Sequence, residues 1–295
     1  MVTRLRLRRM HIGYKYHVVK HDTPLKLSIA VTPDEHFSEN RYGQREFFRS
    51  QQEFLKSDLF STWVLEAHEC YKTALKDGGR VLSIGSGIGE HDVLLHLAGY
   101  DIVSTDLIPG VNRNAQSLFP NMTFGVLDIL DRNSIDGFRC DSVLISGLDH
   151  TLNDRDADRM FENVTHLLKR SRHRLPKLIL TLRYRDNILT RCIDRLLLPV
   201  EARLRLWKKG KGYKIVRKAH GYRRSPAEIL QLASRNGLRL RHVYYAGMGM
   251  EFTRSALLHR IPFVMILLRG VDRIFHVACN CVIFEFVLSG DDKKS

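Results

Sequence analysis

Gly85, Gly87 and Gly89, in the run VLSIGSGIG from Val81, are the residues of this 295-residue chain whose type and spacing point most directly to ligand chemistry. Glycine lets the backbone turn sharply after a strand and brings its amides to a ligand with no Cβ in the way. A dinucleotide site takes G-x-G-x-x-G, but here the sixth position is Glu90, whose carboxylate is a poor neighbour for a pyrophosphate. The absence of G-K-S or G-K-T removes the phosphate-loop NTPases as well. A nucleoside-bearing ligand without a pyrophosphate suits the loop. Asp106, ending the next apolar stretch, can accept from both hydroxyls of a ribose, and Asp128, just past the one after, can reach an adenine ring or its amino group. Taken singly, each acid reads as a solvated loop residue; at successive strand ends, the acids and the glycine loop line one crevice.

Those positions require a particular set of elements. A short strand, Val81 to Ile84, precedes the glycines; Val93, Leu94, Leu97 and Ala98 mark the inner face of a helix that Gly99 stops; Asp101 to Asp106 is a second strand. The result is a β-α-β unit with glycines at its first crossover. The alternation continues with a helix near 112–118, strands at Thr123 to Val126 and Cys140 to Ile145, a helix from Asp156 to Lys169 and a strand from Leu178 to Leu182. Parallel strands in this rhythm need helices on both sheet faces. Upstream, a basic arm and a loop lead into a helical stretch over 46–75 with a break near Ser61. Downstream, residues 186–225 read as an insert or cap: an amphipathic helix from Ile188 to Leu206 bent at Pro199, then a basic, glycine-containing segment from Lys208 to Arg224. A helix N-capped by Ser225 with Pro226 in its first turn, a strand from Leu238 to Tyr245, a helical excursion over Arg254 to His276 and a strand from Cys279 to Leu288 complete the chain.

The segments VLSIGSGIG, IVSTD, FGVLDI, CDSVLISGLDHTL with a following helix ending LLKR, and LILTLRY together resemble the class I S-adenosylmethionine-dependent methyltransferases, well over residues 79–182 and more loosely to Leu288. The resemblance implies an α/β fold: a seven-stranded, mostly parallel Rossmann-like methyltransferase sheet with helices on both faces and an inserted cap, the last strand antiparallel beside the sixth. It implies S-adenosyl-L-methionine as cofactor, draped over the carboxyl ends of strands one to four. Gly85 and Gly87, with Ser86 and Gly89 in the same loop, would take the methionyl part; Asp106, with Leu107 beside it, the ribose; Asp128 and Ile129 the adenine; Ser146 and Gly147 would lie beside the reactive methyl. Residues 76–295 would form the cofactor-binding domain with its insert at 186–225, and 1–75 a basic arm and helical cap. One departure is visible: the family usually carries Asp or Glu where this chain has Ser83, and Glu90 could replace that contact only in part.

A sulfonium methyl is already activated, so such a protein needs neither a covalent nucleophile nor a metal; it must align the acceptor at near-attack distance, roughly 3 Å. A base is useful for hydroxyl, phenol or carbon acids. His150, at the rim after the fourth strand, is the first candidate, against an ordinary structural role at a helix start. His220 could enter from the cap with Tyr222 as a donor, where the plain reading is a surface histidine.

Charge and composition bound the partners. Forty-seven Lys and Arg against 32 Asp and Glu give +15, which favours an anionic partner. Residues 203–224 hold ten Lys or Arg and no acid: a solvated basic face, or a strip that draws phosphates or lipid head groups. Leu196 to Leu198, Leu204 and Trp207 lie beside it, and the excursion around Ile261 to Leu268 is strongly apolar. These features favour a hydrophobic or lipid-linked small-molecule acceptor, with an anionic membrane surface as a further partner and RNA ranking behind. A non-catalytic nucleoside-binding or RNA-binding protein retaining the fold is the alternative. The apolar run is far shorter than the roughly 20 residues that cross a bilayer, and the arginine-broken N-terminus is no secretory signal; it reads as a basic surface strand or arm, with an organelle-targeting peptide as the alternative. Five cysteines, mostly isolated, suit free thiols in a reducing compartment; Cys279 and Cys281 lack a second pair for zinc. The expected location is cytoplasmic, peripheral at a membrane.

Overall fold

The structure, a computed structural model, describes residues 11–20, 48–57, 62–148, 150–182, 195, 198–246 and 281–290. Two helices, α1 (Gln51–Leu55) and α2 (Thr62–Ala74), occupy the stretch expected as helical; Ser61, where the break was expected, lies outside the described residues. The alternating part follows: β2 (Val81–Ile84), α3 (Glu90–Leu97), β3 (Ile102–Asp106), α4 (Arg113–Leu118), β4 (Thr123–Val126), α5 (Arg132–Asp136), β5 (Ser142–Ser146), α6 (Asp154–Lys169) and β6 (Lys177–Leu182). After helix α7 (Leu198–Lys209) and strand β7 (Tyr213–Arg223) come α8 (Pro226–Arg235), β8 (Leu238–Ala246) and β9 (Cys281–Leu288); the first strand, β1, is His11–Lys20.

Seven strands form one sheet in the order β4-β3-β2-β5-β6-β9-β8. All neighbours run parallel except β9, which is antiparallel to both β6 and β8. This is the mostly parallel sheet, with its last strand inserted beside the sixth, that the resemblance implied. Central strands VLSI, SVLIS and KLILTL are buried on both faces, as a covered parallel sheet demands. Alternate residues therefore feed two cores. Leu82, Ile84, Val143, Ile145, Leu178, Leu180, Phe284 and Phe286 pack with Met160, Phe161 and Val164 of α6 and Ile229 of α8. Val81, Leu144, Ile179 and Ile283 pack on the opposite face with Ala67 and Tyr71 of α2 and Val93 of α3. Serine at the start of α8 acts as expected: Ser225 and Glu228 make a reciprocal capping box, with Pro226 opening the helix.

The insert differs from the expectation. The segment read as basic and glycine-containing is mostly a strand: β7 pairs antiparallel with β1, His11 opposite Arg223 and Lys20 opposite Tyr213. The N-terminal arm and the insert thus form one two-stranded ribbon, with α7 packed against it. The N-terminal half fits the reading of a basic surface strand; in the insert the lysines and arginines hid a strand whose partner lies about 200 residues earlier in the chain. Helix α7 continues past Leu206 to Lys209; the residues just before Leu198, which would show a bend at Pro199, lie outside the described residues. Residues 188–194, 196 and 197, the excursion Arg254 to His276, and Cys192 and Cys279 lie outside the described residues. Cys70 and Cys140 are free thiols, and Cys281 is buried; burial pushes Cys70 up to about 11 and Cys140 up to about 12, too high for reactivity at neutral pH.

At the amino ends of the strands a buried ion cluster ties α2 to the sheet. Lys177, 1% exposed, donates to the Ala74 carbonyl at 2.8 Å and to Asp77 at 2.7 Å, and stands 3.6 Å from the buried Glu285. Arg241 pairs with Glu285 at 3.0 Å, and the Tyr244 hydroxyl donates to its other oxygen at 2.8 Å. Removing one partner of such a set leaves an opposite charge buried. We expect Lys177→Met to cost about 3 kcal/mol of stability, read as a lower urea midpoint; an unchanged midpoint would show that the cluster contributes nothing net.

Candidate functional site

The strand order reverses at β2, which pairs with β3 on one side and β5 on the other, so the carboxyl ends of β2 and β5 bound the crevice where open α/β sheets hold ligands. The loop leaving β2 has Gly85, Gly87 and Gly89 at φ of 69°, 59° and 82°, a left-handed conformation that a side chain would strain. Gly85 also lies against the loop after β5: a Cβ there would meet Leu148 at 3.2 Å. At Gly87 a Cβ would meet none of the described residues within 4 Å. The Ser86 hydroxyl, between these glycines, is buried and has no hydrogen-bond partner among the described residues.

Asp106, at the tip of β3, closes on this loop. One carboxylate oxygen accepts the Gly87 amide at 2.8 Å and the other accepts the Ile108 amide at 3.0 Å. Leu107, next in sequence, is 44% exposed. Asp128, past β4, accepts the Leu130 amide at 2.8 Å while its own amide donates to Ser134. Its neighbour Ile129 is buried in the core, with its carbonyl accepting from Asn163 at 2.7 Å. The structure thus brings the glycine loop and Asp106 into direct contact and sets Asp128 at the end of the strand beside β3.

On the other wall, Ser146 ends β5 and Gly147 follows at φ 79°. Asp149 lies outside the described residues; His150 is buried. The His150 carbonyl accepts the Tyr222 amide at 2.8 Å, so the end of β7 docks on this loop. Arg224, 3% exposed, reinforces the junction: it donates to the Leu152 carbonyl at 2.7 Å, pairs with Asp154 at 3.2 Å and lies over the Tyr222 ring. His150 and Tyr222 are therefore neighbours through the backbone. His220 sits in β7 at a register shift: Gly13 faces Gly221 and Tyr14 faces Ala219, leaving His220 the extra residue of a bulge, while its side chain lies outside the description.

Sequence reasoning missed the polar groups beneath these loops. Tyr71 is fully buried on α2, and its hydroxyl contacts Ser146 at 3.1 Å and Thr181 at 2.6 Å, bracing the ends of β5 and β6. The His91 ring stands edge-on to it, with centroids 5.2 Å apart. Because Tyr71 meets the carboxyl ends and Ala74 the amino end of β6, α2 runs against the strands. His68, one turn before Tyr71, therefore lies on the rim side of it. It is 9% exposed, its Nδ1 has no partner among the described residues, and burial lowers its pKa, keeping it neutral at pH 7. A carboxylate set against Ser83 is Asp92 of α3: it accepts from Ser104 at 2.6 Å and bonds Ser83 too. A helical spacing of 64, 68 and 71 was the available signal for the α2 residues, and it reads equally as core.

No protein-family model and no curated protein matches this chain. Solved structures do. Magnesium protoporphyrin IX methyltransferase from Synechocystis PCC 6803, crystallised with S-adenosylmethionine bound, aligns with TM-score 0.52 and 15% identity, over 90% of this chain and 100% of that one. The PH0226 protein from Pyrococcus horikoshii OT3 aligns with TM-score 0.52 and 15% identity, over 85% and 99%. An O-methyltransferase family protein from Burkholderia thailandensis aligns with TM-score 0.52 and 12% identity, over 88% and 64%. The fold is that of the class I S-adenosylmethionine-dependent methyltransferases.

Asp92 carries a measurable signature. Burial, opposed by the bonds from Ser104 and Ser83 and reinforced by Glu90 and Asp106, pushes it up to about 7. An unfolded Asp titrates near 4, so between roughly pH 4 and 7 the folded chain holds the extra proton and stability falls as pH rises. Asp92→Asn does not titrate. The parent should therefore lose about 2–4 kcal/mol more than this variant between pH 4 and pH 8 in urea denaturation; equal losses would contradict the assignment.

Proposed function

We propose that this chain transfers a methyl group from S-adenosyl-L-methionine to a hydrophobic or lipid-linked small-molecule acceptor, in the cytoplasm and peripheral at a membrane. The observation that carries the reading is the Asp106 carboxylate held 2.8 Å from the Gly87 amide, at the point where the strand order reverses. The residues present fit the cofactor: among the described residues nothing crowds the loop at Gly87, and none partners the buried Ser86 hydroxyl. In this reading residues 76–295 form the cofactor-binding domain with its insert at 186–225, and 1–75 supply the arm and cap.

Each Asp106 oxygen bonds one backbone amide and retains a lone pair for a ribose hydroxyl. Leu107 adds apolar surface beside the nucleoside; Asp128 and Ile129 take the adenine; Gly85, Ser86, Gly87 and Gly89 receive the amino-acid portion; Ser146 and Gly147 flank the transfer point. The bound cofactor supplies a methyl already activated on a sulfonium. The chain's tasks are then orientation, exclusion of water and, for a hydroxyl or carbon-acid acceptor, removal of a proton. His150 is assigned that proton, at an imidazole nitrogen, with Tyr222 and His220 of β7 placing the acceptor. Tyr71 positions the wall through Ser146.

A second reading, a nucleoside-binding or RNA-binding protein that kept the fold without the chemistry, is favoured by Ser83 standing where the family carries an acid and by the basic ribbon. Isothermal titration with S-adenosylmethionine and S-adenosylhomocysteine addresses the first reading: folded protein that binds neither overturns it. Asp106→Ala should weaken cofactor binding about tenfold or more, since hydrogen bonds to a charged group are lost. Where turnover is measurable, His150→Ala should lower it more than it lowers cofactor affinity; unchanged turnover would leave His150 a structural residue.

A further inference from the structure

Helix α7 has two apolar faces, and only one is covered. Ala202, 3% exposed, and the half-buried Leu206 turn inward, and Lys209 lies over the Tyr213 ring at 5.6 Å, so the spacing 202, 206, 209 marks the face against the ribbon. The opposite face carries Val200, Leu204 and Trp207 at 52%, 56% and 80% exposure. On a helical projection those three fall within about 60° of one another, and exposed Arg203 and Lys208 flank them on either side. Exposed Lys211 follows the helix, and the segment 203–224 contains ten basic residues and no acid.

We propose that this outer face of α7 docks on an anionic lipid surface, with Trp207, Leu204 and Val200 entering the interface and Arg203, Lys208 and Lys211 meeting the head groups. Interfacial helices combine an apolar stripe containing tryptophan with cations along its margins. Charge decides against a second copy of the chain, because a symmetric contact through this face would set cations against cations. Aromatic supply decides against RNA: one exposed ring on an otherwise aliphatic stripe gives no run of stacking platforms. Among the described residues no helix is long and apolar enough to cross a membrane, so the contact is one of lying on the surface.

The docking unit is coupled to the crevice. β7 continues from α7 through a short turn, and its end holds the His150 loop through the Tyr222 amide and Arg224. A lipid-linked acceptor would thus reach the rim from the side on which the protein rests; this last point rests on the methyl-transfer reading, whereas the docking does not.

The chain has two tryptophans, Trp63 and Trp207, so Trp63→Phe leaves Trp207 as the only strong emitter. Titrated without cofactor, its emission should shift to the blue and be quenched by brominated lipid with vesicles of mixed phosphatidylcholine and phosphatidylglycerol, and not with phosphatidylcholine alone. Added salt should weaken the effect. Co-sedimentation of the otherwise unaltered chain provides a second measurement, in which Leu204→Glu and Trp207→Ala should each lower the partition coefficient about tenfold, the cost of withholding one large apolar group. No shift and no sedimentation on anionic vesicles, equal binding to both vesicle types, or binding that these variants leave intact would overturn the proposal, as would RNA displacing bound vesicles without releasing Trp207 from an apolar environment. Cofactor titration of the same proteins separates the outcomes: retained cofactor binding with lost vesicle binding strikes only the docking surface, and the reverse strikes only the methyl-transfer reading.

Discussion

The crevice depends on one hydrogen bond, from the Gly87 amide to Asp106, which joins the loop leaving β2 to the tip of β3. It is charge-assisted and partly buried, the setting in which such a bond is strong. It forms only because the loop adopts positive φ at Gly85, Gly87 and Gly89, which brings an amide rather than a side chain to the carboxylate. The same conformation presses Gly85 against Leu148, so the two walls of the crevice are set by one backbone path. Thr105 adds a tie beneath, its hydroxyl donating to the Ser83 carbonyl at 2.6 Å.

The two faces of the sheet divide the labour. The face under α6 and α8 is packed by Leu, Ile, Val, Met and Phe, and its burial supplies driving force without direction. The face under α2 and α3 mixes that packing with Ser83, Ser104, Lys177, Thr181 and Glu285, all on strands, met by Asp92, Tyr71 and Asp77. Buried polar groups must be paired, so each of these contacts selects one placement of the helices over the sheet. Lys177 and Glu285 set α2 at the amino ends of the strands, and Tyr71 sets it at the carboxyl ends. Asp92 supplies from α3 a carboxylate beside the strand position where the fold family usually carries one. That displacement keeps an acid beneath the glycine loop while altering its surroundings: it is buried among hydroxyls, and so is half protonated near neutrality.

The ribbon of β1 and β7 gives the fold a second, basic unit joined to the crevice at a single rim. Its outward helix face is apolar and cation-flanked, and its inner end holds the His150 loop by backbone bonds. One segment thus links the exposed helix face to the rim of the crevice, a connection that a fold-level likeness alone would not reveal.

By itself the sequence determined what local periodicity and turn chemistry encode: the β-α-β alternation from Val81 to Leu182, the glycine loop with Asp106 and Asp128 at strand ends, and the serine cap at Ser225. These follow from spacing within a few residues, where side-chain direction and backbone freedom act directly. Tertiary structure alone decided that the arm at His11 pairs with Arg223, that Asp92 meets Ser83, that Tyr71 braces Ser146, and which stripe of α7 faces outward. In each of those cases the partner lies on another element, so the choice rests on packing and desolvation across the fold, which no local pattern specifies.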